Sequence, residues 1–554
     1  MLGCVTAAES DSTRALVPAR LVRGTRGAVA SPHYLATEAG LHVLRAGGSA
    51  VDAAIATNAA LAVVAAHSCG LGGDAFWLIS DGGFHGLNGS GRSARRATLE
   101  AAAAAGLAEM PLRGPWSVTV PGAIHSWGVA HARFGRLPWA ILLEPAIELA
   151  GGFPATDGWS SAVERSAGVF GTDGDWAGTF RPHGRAWRVG EKAGLPNLEA
   201  SLRRLAQEGP ESAYTGSLAR RSAAYLAERG SPLRFDDFSG HTSDWLDPIA
   251  VEYRAEFQSL TLPANSSGPL ALEMLELLGR FPPTPREAFG PAGVADAGWV
   301  HLGLEIARLA LADRDARLTD AAHMPADAVE TLLDPDRLAV LASRIDPERA
   351  AQPAQPTLPA GGGTIFLATA DADGQLVSLI ESNYAGFGSG LVDPETGISF
   401  QNRGAFFRLD PIHVNVLGPA KRTMHTLAPG FLLRNGLPWI AHGQMGGEIQ
   451  PQVFAQFVSG VVDGGLDIAT AIAAPRWAAL MPGHMQPPTI SALESRYSED
   501  VAEGLRRRGP DVSLVAAFSS AMGHAQAVEL VGSAGEQTLA AASDPRSEGL
   551  ALAY

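Results

Sequence analysis

The sequence predicts a mixed α/β fold of the α+β kind, in which apolar strands pack against buried helices. The segment Ala53–Ala66 is rich in alanine and apolar nearly all round, as a helix buried between layers is. The segment Ile365–Ala370 is apolar on both faces, which is typical of a central strand. With 554 residues, 46% of them hydrophobic and 18% charged, the chain can bury a large core in more than one domain-sized lobe.

Composition and charge argue against several classes of function. The formal net charge of −15 disfavours a nucleic-acid partner or an anionic membrane surface. Cys4 and Cys69 are the only cysteines, which argues against a disulfide framework or a cysteine zinc site and suits a reducing compartment. Met1–Thr25 has no continuous apolar run and no segment is long enough to span a membrane. We therefore expect a soluble, cytoplasmic protein without a secretory signal.

The first organised block, Glu38–Ala66, predicts two helices. A Gly-Gly pair ends the first helix, and Ser49 is a suitable N-cap for the second. The Gly-rich turn Gly70–Asp74 and the strand Ala75–Ser80 follow. The order is helix, loop, strand, and no Gly-Lys-Ser/Thr follows, so we interpret the turn as close backbone packing rather than a phosphate-binding loop.

The middle of the chain carries fewer distinctive residues. Arg92 lies in the Gly- and Ser-rich loop Asn88–Thr98, where it could grip a carboxylate or simply belong to a solvated basic turn. From Pro121 to about Asp334 the pattern is mostly helical, and we interpret this region as scaffold. Residues 350–363, in which three prolines precede a run of glycine, form the clearest linker in the chain.

The junction at the end of that linker is the strongest candidate for chemistry. The Pro- and Gly-rich run stops at Gly363, and the apolar strand begins at once with Thr364. This arrangement suits a self-cleaving precursor, because cleavage would make Thr364 an N-terminus that carries nucleophile and base together. A surface loop that simply enters a strand is the alternative interpretation.

The residues after the junction predict a β-hairpin that sets a polar partner beside Thr364. A turn at Ala372–Gly374 places Thr364 directly opposite Ser382, whereas a two-residue turn places it opposite Asn383. Either register leaves a polar side chain about 5 Å from Thr364 at Cβ. Such a group can orient the nucleophile, although an ordinary cross-strand pair has the same pattern.

Two further sites lie downstream. A strand predicted at Ile398–Gln401 leads to Arg403, whose guanidinium is then placed for a bidentate contact with a carboxylate. A strand at Trp439–Ala441 is followed by a Gly-rich turn, Gly443–Gly447, and by Pro451 in the first turn of a helix. Within that turn, Gly446 and Gly447 would offer backbone N–H groups at a helix start, which suits an oxyanion hole.

Several separate motifs resemble those of the γ-glutamyltranspeptidase family of N-terminal-nucleophile hydrolases. They occur in the family's order along nearly the whole chain. The matching segments are Ala36–Ile79, Val120–Gly122, the strand that begins at Thr364, Phe387–Gly390, Gly443–Gly447 and Ala542–Ser547.

The resemblance implies a four-layer αββα sandwich of the Ntn-hydrolase type and autocleavage between Gly363 and Thr364. It implies a large subunit, 1–363, that holds the N-terminal part of the sandwich and the helical scaffold. The small subunit, 364–554, would begin with the nucleophile.

The resemblance also implies roles for individual residues. Thr364 takes the position of the nucleophile, with its new α-amino group as the general base. Ser382 takes the place of the family's partner threonine, and Gly446 with Gly447 that of the oxyanion hole.

The departures from the family pattern concern the substrate. The family's arginine, asparagine, aspartate and paired serines that read a glutamyl group are replaced here, in that order, by Ser90, Tyr384, Phe406, and His425 with Thr426. A buried α-ammonium with no carboxylate opposite it would cost several kcal/mol, so a γ-glutamyl group fits poorly.

The chain more closely resembles the divergent branch that contains oxamate amidohydrolase and the transpeptidase-like cephalosporin acylases. Those enzymes cleave amides whose acyl part carries a carboxylate but no α-amino group. The segments that carry this closer resemblance are Gln401–Ala405, Met424–Leu427 and Ala521–Ala525.

We therefore expect an autoprocessed amidohydrolase that acts on a small-molecule amide. Arg403, assisted by Arg92, would hold the substrate carboxylate. Tyr384, His425 and Thr426 would line the pocket, although His425 could equally be a core histidine. The mechanism needs no metal ion or other cofactor.

Two other functions stay open on the sequence alone. One is a γ-glutamyl hydrolase or transferase with a rebuilt carboxylate and ammonium site. The other, of a different class, is an unprocessed and inactive scaffold or binding protein; the retention of Thr364, Gly446 and Gly447 argues against it. Whether the processed heterodimer forms a homo-oligomer also stays open.

Overall fold

The computed structural model describes residues 19–283, 286–289, 293–351, 362–480, 490–509, 512–532 and 537–554. Most of the predicted linker 350–363 therefore lies outside the described residues, as does Cys4.

The α-helices are α1 (Tyr34–Arg45), α2 (Ala50–Val64), α3 (Leu99–Ala104), α4 (Ala123–Phe134), α5 (Trp139–Gly151), α6 (Asp157–Phe170), α7 (Asp175–Phe180), α8 (Pro196–Glu208), α9 (Ser217–Glu228), α10 (Phe235–Ser239), α11 (Gly268–Gly279), α12 (Ala297–Arg317), α13 (Ala328–Leu332), α14 (Pro335–Ala342), α15 (Gln450–Val462), α16 (Ile468–Ala473) and α17 (Glu499–Arg507). The strands are β1 (Val22–Gly24), β2 (Gly27–Ser31), β3 (Asp74–Ser80), β4 (Phe84–Gly89), β5 (Phe153–Pro154), β6 (Lys192–Ala193), β7 (Asp244–Leu246), β8 (Ile249–Tyr253), β9 (Phe257–Thr261), β10 (Gly362–Asp371), β11 (Leu376–Ala385), β12 (Gly430–Arg434), β13 (Leu437–Met445), β14 (Trp477–Leu480), β15 (Ile490–Glu494), β16 (Val512–Val515), β17 (His524–Val531), β18 (Thr538–Ser543) and β19 (Leu550–Ala553).

Two seven-stranded sheets form the centre of the described structure. The first has the strand order β19-β2-β10-β11-β3-β4-β7, and the second has the order β1-β18-β17-β13-β12-β9-β8. They pack face to face through small and aromatic side chains such as Phe366, Phe76, Phe431 and Ala441. Because successive strand residues point to opposite faces, the other face of each sheet is left for helices.

Helices cover both outer faces of this pair of sheets. Helix α2 is buried along its whole length and packs behind β10 and β11, and the core on that side includes Ile365 and Trp77. Helices α11, α12 and α15 help form the core behind the second sheet, with Leu432 and Ile440. The predicted four-layer αββα sandwich is confirmed, and Ser49 caps α2 with a reciprocal capping box, as its sequence position predicts.

The central hairpin has one of the two predicted registers. Strands β10 and β11 pair antiparallel with Thr364 opposite Ser382, which is the alternative that follows from a turn at Ala372–Gly374. A register shift between Gly363 and Thr364 leaves Asn383 as the extra residue. The shift lies at the junction itself, so the strand changes its pairing where cleavage is predicted.

The region Pro121–Asp334 is mostly helical, as predicted, although β7, β8 and β9 within it join the edges of the two sheets. Two other local predictions are wrong. Ile398–Gln401 forms isolated bridges rather than a strand, since its backbone bonds go to separate loops. Gly443 and Gln444 belong to β13, where they pair with β17, so the turn is confined to Gly446 and Gly447.

The two predicted subunits are interleaved in both sheets. Strand β10 lies between β11 and β2, and the C-terminal strands β18 and β19 pair with β1 and β2. Each sheet therefore contains strands from before and after the junction. The boundary at residue 363 divides the sequence but does not divide the hydrophobic core.

Candidate active site

Ser382 is the centre of a hydrogen-bond group at the junction. Its Oγ lies 2.9 Å from Thr364 Oγ1 and donates to the Gly363 carbonyl at 2.7 Å. The same oxygen accepts from the Tyr384 N–H at 2.7 Å and from Arg403 Nη2 at 3.2 Å. A hydroxyl has two acceptor lone pairs and one proton, so these N–H donors leave the proton for the Gly363 carbonyl or the Thr364 hydroxyl.

Thr364 belongs to a row of polar residues that crosses three strands. In register, Thr364 of β10 faces Ser382 of β11, which faces Asp74 of β3. All three are at most 1% exposed and share one sheet face with Phe366, on the side of the second sheet. Pairing between neighbouring strands thus brings together residues that are far apart in sequence.

Asp74 forms a buried pair with His425. Asp74 accepts from the Gly91 N–H at 3.0 Å, and its other oxygen lies 3.3 Å from His425 Nε2. Burial raises the pKa of Asp74 to about 7, while the nearby Arg403 opposes that rise. Burial, and then Arg403, hold the pKa of His425 well below its ordinary value, so its imidazole is neutral.

The ring of His425 is fully buried but only partly satisfied. It meets the Phe76 ring edge to face at 4.8 Å, and its Nδ1 has no hydrogen-bond partner among the described residues. A position in the core and a position lining a pocket therefore both stay open for His425.

Arg403 is a buried cation held by hydroxyl groups and aromatic rings. Nη1 donates to Thr426 Oγ1 at 3.0 Å, and the guanidinium lies 4.7 Å from the Tyr384 ring centre and 5.4 Å from that of Phe406. Burial lowers the pKa of Arg403 to about 10, and Asp74 opposes this fall. Its Nε is buried with no hydrogen-bond partner, and the guanidinium forms no ion pair among the described residues.

Arg92 lies apart from the hydrogen-bond group around Ser382. Its guanidinium is 30% exposed and pairs with Asp244 at 3.1 Å. Its neighbour Arg422 shares Asp244 and donates through Nε to the Ser90 carbonyl at 3.0 Å. The loop thus contributes to the site through its backbone, because the Gly91 N–H bonds Asp74, rather than through the Arg92 side chain.

Gly446 and Gly447 form the turn between β13 and α15. Their φ angles are +145° and +60°, a region that glycine adopts readily, and a Cβ on Gly446 would lie 2.7 Å from Ile449 Cγ1. The short helix Gly447–Ile449 that follows lies against β10. Among the described residues, neither glycine N–H donates a hydrogen bond, so both are free for a ligand oxygen.

Sequence reasoning missed two further arginines. Arg314 of α12 contacts Glu448, the residue after Gly447, at 2.5 Å. Arg113 donates to the carbonyls of Gly386 and Gly388, beside the junction segment. Neither belongs to a recognisable motif. Glu448 and the two glycines lie more than 100 residues from these arginines in sequence, so local sequence contained no signal for the contacts.

Among the described residues, no helix is both long and apolar enough to cross a membrane.

Comparison with known proteins gives a consistent family. The model of the gamma-glutamyltranspeptidase family matches residues 36–554. The glutathione hydrolase-like YwrD proenzyme of Bacillus subtilis is 37% identical, over 96% of this chain and 99% of that protein. The oxamate amidohydrolase proenzyme of Klebsiella pneumoniae is 36% identical, with the same two coverages.

A solved structure agrees with this result. The cephalosporin acylase from Bacillus halodurans has a TM-score of 0.89 and 37% identity, and the match covers 98% of this chain and 99% of that one. The fold, the order of the motifs and the family model lead to one assignment. The chain belongs to the gamma-glutamyltranspeptidase family of N-terminal-nucleophile hydrolases.

Proposed function

We propose that this chain is an autoprocessing N-terminal-threonine amidohydrolase whose substrate carries a carboxylate, but no α-amino group, on its acyl part. The observation that carries the proposal is Arg403, a buried guanidinium with no ion-pair partner among the described residues. A buried charge is costly unless it is paired, so such a cation is best explained by an anionic ligand. A relative 36% identical is named for oxamate, a small amide of this class.

Processing would begin at the hydrogen bonds around Ser382. Thr364 Oγ1 attacks the carbonyl carbon of Gly363, while the Ser382 hydroxyl stabilises the negative charge that develops on the carbonyl oxygen. The C–N bond breaks as the Thr364 nitrogen takes up the proton that Oγ1 gave up, which leaves an ester between the Gly363 carbonyl and Thr364 Oγ1. Water hydrolyses that ester and releases 1–363 and 364–554 as two chains, which their interleaved strands would keep together.

Turnover would use the new N-terminus. The α-amine of Thr364 takes the proton from its own Oγ1 as that oxygen attacks the substrate amide carbon. The N–H groups of Gly446 and Gly447 stabilise the oxyanion, and the amine leaving group departs with the proton. Water then attacks the acyl-enzyme, which returns Thr364 to its starting state. Removing one oxyanion donor typically costs about 2.7–4 kcal/mol in the barrier.

Arg403 would hold the far end of the acyl group. Its Nη2 lies 3.2 Å from Ser382 Oγ, and Ser382 contacts the nucleophile, so a carboxylate on Arg403 would stand a short acyl chain away from Thr364. A planar guanidinium can bind a carboxylate through two N–H groups at once. The proposed pocket therefore suits short dicarboxylic monoamides such as oxamate and glutaryl amides.

A γ-glutamyl substrate is the second candidate. Asp74 lies close enough to Arg403 to oppose the fall in its pKa, and a carboxylate beside a cation could receive an α-ammonium while Arg403 takes the α-carboxylate. Against this, the Asp74 oxygens already contact the Gly91 N–H and His425. Because a relative 37% identical is named glutathione hydrolase-like, the test below includes a γ-glutamyl substrate.

The test has two readouts on the purified protein. Intact mass and N-terminal sequencing are expected to give two chains, the smaller beginning with Thr364, and Thr364→Ala is expected to stay a single inactive chain. Thr369→Ala is the matched control, since Thr369 is a buried threonine of the same strand that bonds the Ala50 carbonyl. It should still be cleaved.

Substrate class is then measured with oxamate, a glutaryl amide and a γ-glutamyl anilide. Hydrolysis of the first two, with little of the third, supports the proposal. Robust turnover of the γ-glutamyl anilide alone would reject the substrate assignment. A single full-length chain, inactive on all three, would favour the scaffold function instead.

A further inference from the structure

We infer that Arg314 is a positioning residue for the Gly446-Gly447 turn, acting on it through Glu448. The inference rests on the proposed function, since it assumes that this turn stabilises the oxyanion. Arg314 would set the direction of the two N–H groups and cancel the one carboxylate that follows them directly in sequence.

The contact joins two distant parts of the chain. Arg314 lies near the C-terminal end of α12 and is 2% exposed. Its Nη1 lies 2.5 Å from Glu448 Oε2, and its Nε lies 2.8 Å from Asp315 Oδ1. Asp315 thus anchors one edge of the guanidinium while Glu448 takes another. Because Glu448 is bonded directly to Gly447, the ion pair fixes one end of the turn to a long helix.

The turn needs such an anchor because two consecutive glycines are conformationally permissive. Gly446 and Gly447 both have positive φ, and the helix that follows lies against β10, which carries Thr364. Oxyanion donors stabilise the transition state because they are oriented before the reaction begins. A turn that moves between conformations would lose part of that stabilisation. The Arg314–Glu448 contact restrains the turn at its C-terminal end.

Charge gives a second reason. An uncompensated Glu448 carboxylate would repel the negative charge that develops at the neighbouring N–H groups. Burial alone would lower the pKa of Arg314, but Glu448 and Asp315 more than offset this and raise its pKa, so the guanidinium stays charged. Burial and then Glu448 raise the pKa of Tyr384, and Arg403 and Arg314 oppose the rise. Arg314 and Glu448 are therefore close enough to Tyr384, whose N–H bonds Ser382, to influence its pKa.

Arg314→Met tests the inference on the full-length protein, with oxamate and a glutaryl amide as substrates. We expect kcat to fall about 10- to 100-fold with KM within about threefold, because the lost interaction acts on the transition state. Formation of the two chains should continue, because Ser382, not this turn, bonds the Gly363 carbonyl. Arg317→Met is the matched control: Arg317 lies on the same helix, is 43% exposed and bonds Asp313.

A double variant separates the effect of charge from that of positioning. In Arg314→Met with Glu448→Gln the unpaired carboxylate is gone but the turn still has no anchor, so kcat should recover only in part over the single variant. Arg314→Lys, which keeps the charge but not the fork, should fall between wild type and Arg314→Met and serves if the Met variant does not fold.

Unchanged kcat in processed Arg314→Met or Arg314→Lys would overturn the inference, as would full recovery of kcat in the double variant, because the turn would then need no anchor. A wild-type protein that hydrolyses none of the amides would instead remove the proposed function, and this inference with it.

Discussion

Two buried arginines, Arg403 and Arg546, show opposite ways of keeping a cation inside this protein. Arg546 bonds both oxygens of Glu494 at 2.6 and 2.8 Å and meets Asp544 at 3.1 Å, and these carboxylates raise its pKa although burial alone would lower it. Arg403 has hydroxyl and aromatic neighbours, and burial lowers its pKa to about 10. A fully paired buried arginine is explained by structure, whereas one without a carboxylate calls for a ligand.

The largest expected effect is on stability, at the paired arginine. Arg546→Met removes three charge-assisted hydrogen bonds, two to Glu494 and one to Asp544. These buried carboxylates then keep only Arg496 and Arg476, respectively, as counter-ions, so we expect the free energy of unfolding to fall by about 3–5 kcal/mol. Urea denaturation measures this. Arg434→Met is the control, because Arg434 is half exposed and pairs loosely with Glu256, so it should cost under about 1 kcal/mol. Equal stability of the two variants would refute the comparison.

At the unpaired arginine we expect the reverse pattern. Arg403→Met removes a buried cation that has no carboxylate partner among the described residues, so stability should change little or rise. Activity on an amide with an acyl carboxylate should fall about 100- to 1,000-fold in kcat/KM, the usual cost of losing one partner of a buried charge pair. Loss confined to stability would show that Arg403 is structural.

Two matched controls accompany Arg403→Met: a variant that keeps the positive charge, and a substrate without the carboxylate. Arg403→Lys keeps the charge without the planar fork and should be intermediate. An amide with a neutral acyl group should lose far less activity than the charged substrate. Mass analysis must show that the variant is processed, because Arg403 also bonds Ser382.

The sequence predicts the hairpin at Arg403's neighbour Ser382 but not the charges around it. Turn length alone leaves two registers, and the structure has one of them, with Thr364 opposite Ser382. This prediction succeeds because the register of a hairpin depends only on residues that are close in sequence. Asp74 reaches His425 across 351 residues and Arg314 reaches Glu448 across 134, so no local pattern could pair them. Arg92 illustrates the same limit. The sequence suggested that it binds substrate, because its partner Asp244 is distant in sequence and could not be foreseen.

A smaller effect is expected from the titration of Asp74. Burial raises its pKa to about 7, so Asp74 is mostly neutral at pH 6 and ionised at pH 8. Once ionised it offsets part of the Arg403 charge, so KM for a carboxylate-bearing amide should rise about threefold to tenfold from pH 6 to pH 8. The rise should be absent in Asp74→Asn and for a neutral-acyl amide. A pH profile of KM that Asp74→Asn leaves unchanged would contradict the assignment.

The same carboxyl group makes stability depend on pH. Its pKa is about 7 in the folded protein and about 3.9 in an unfolded chain, so the folded state binds more protons between these values. Its contribution to stability is therefore greatest below about pH 4 and declines as the pH rises to about 7. Asp74→Asn should flatten this part of the stability profile, which thermal unfolding at a series of pH values measures.

The smallest expected effect comes from removing one hydroxyl group that accepts a hydrogen bond from Arg403. Thr426→Val keeps the shape of the side chain but removes the acceptor of Arg403 Nη1 at 3.0 Å. A net loss of about 0.5–1.5 kcal/mol per hydrogen bond corresponds to a roughly twofold to tenfold higher KM for the carboxylate-bearing amide. Thr423→Val is the matched control, since Thr423 is equally buried and its hydroxyl accepts from Asn415 rather than from Arg403. If both variants raised KM equally, the effect would come from packing in this segment and not from the orientation of Arg403.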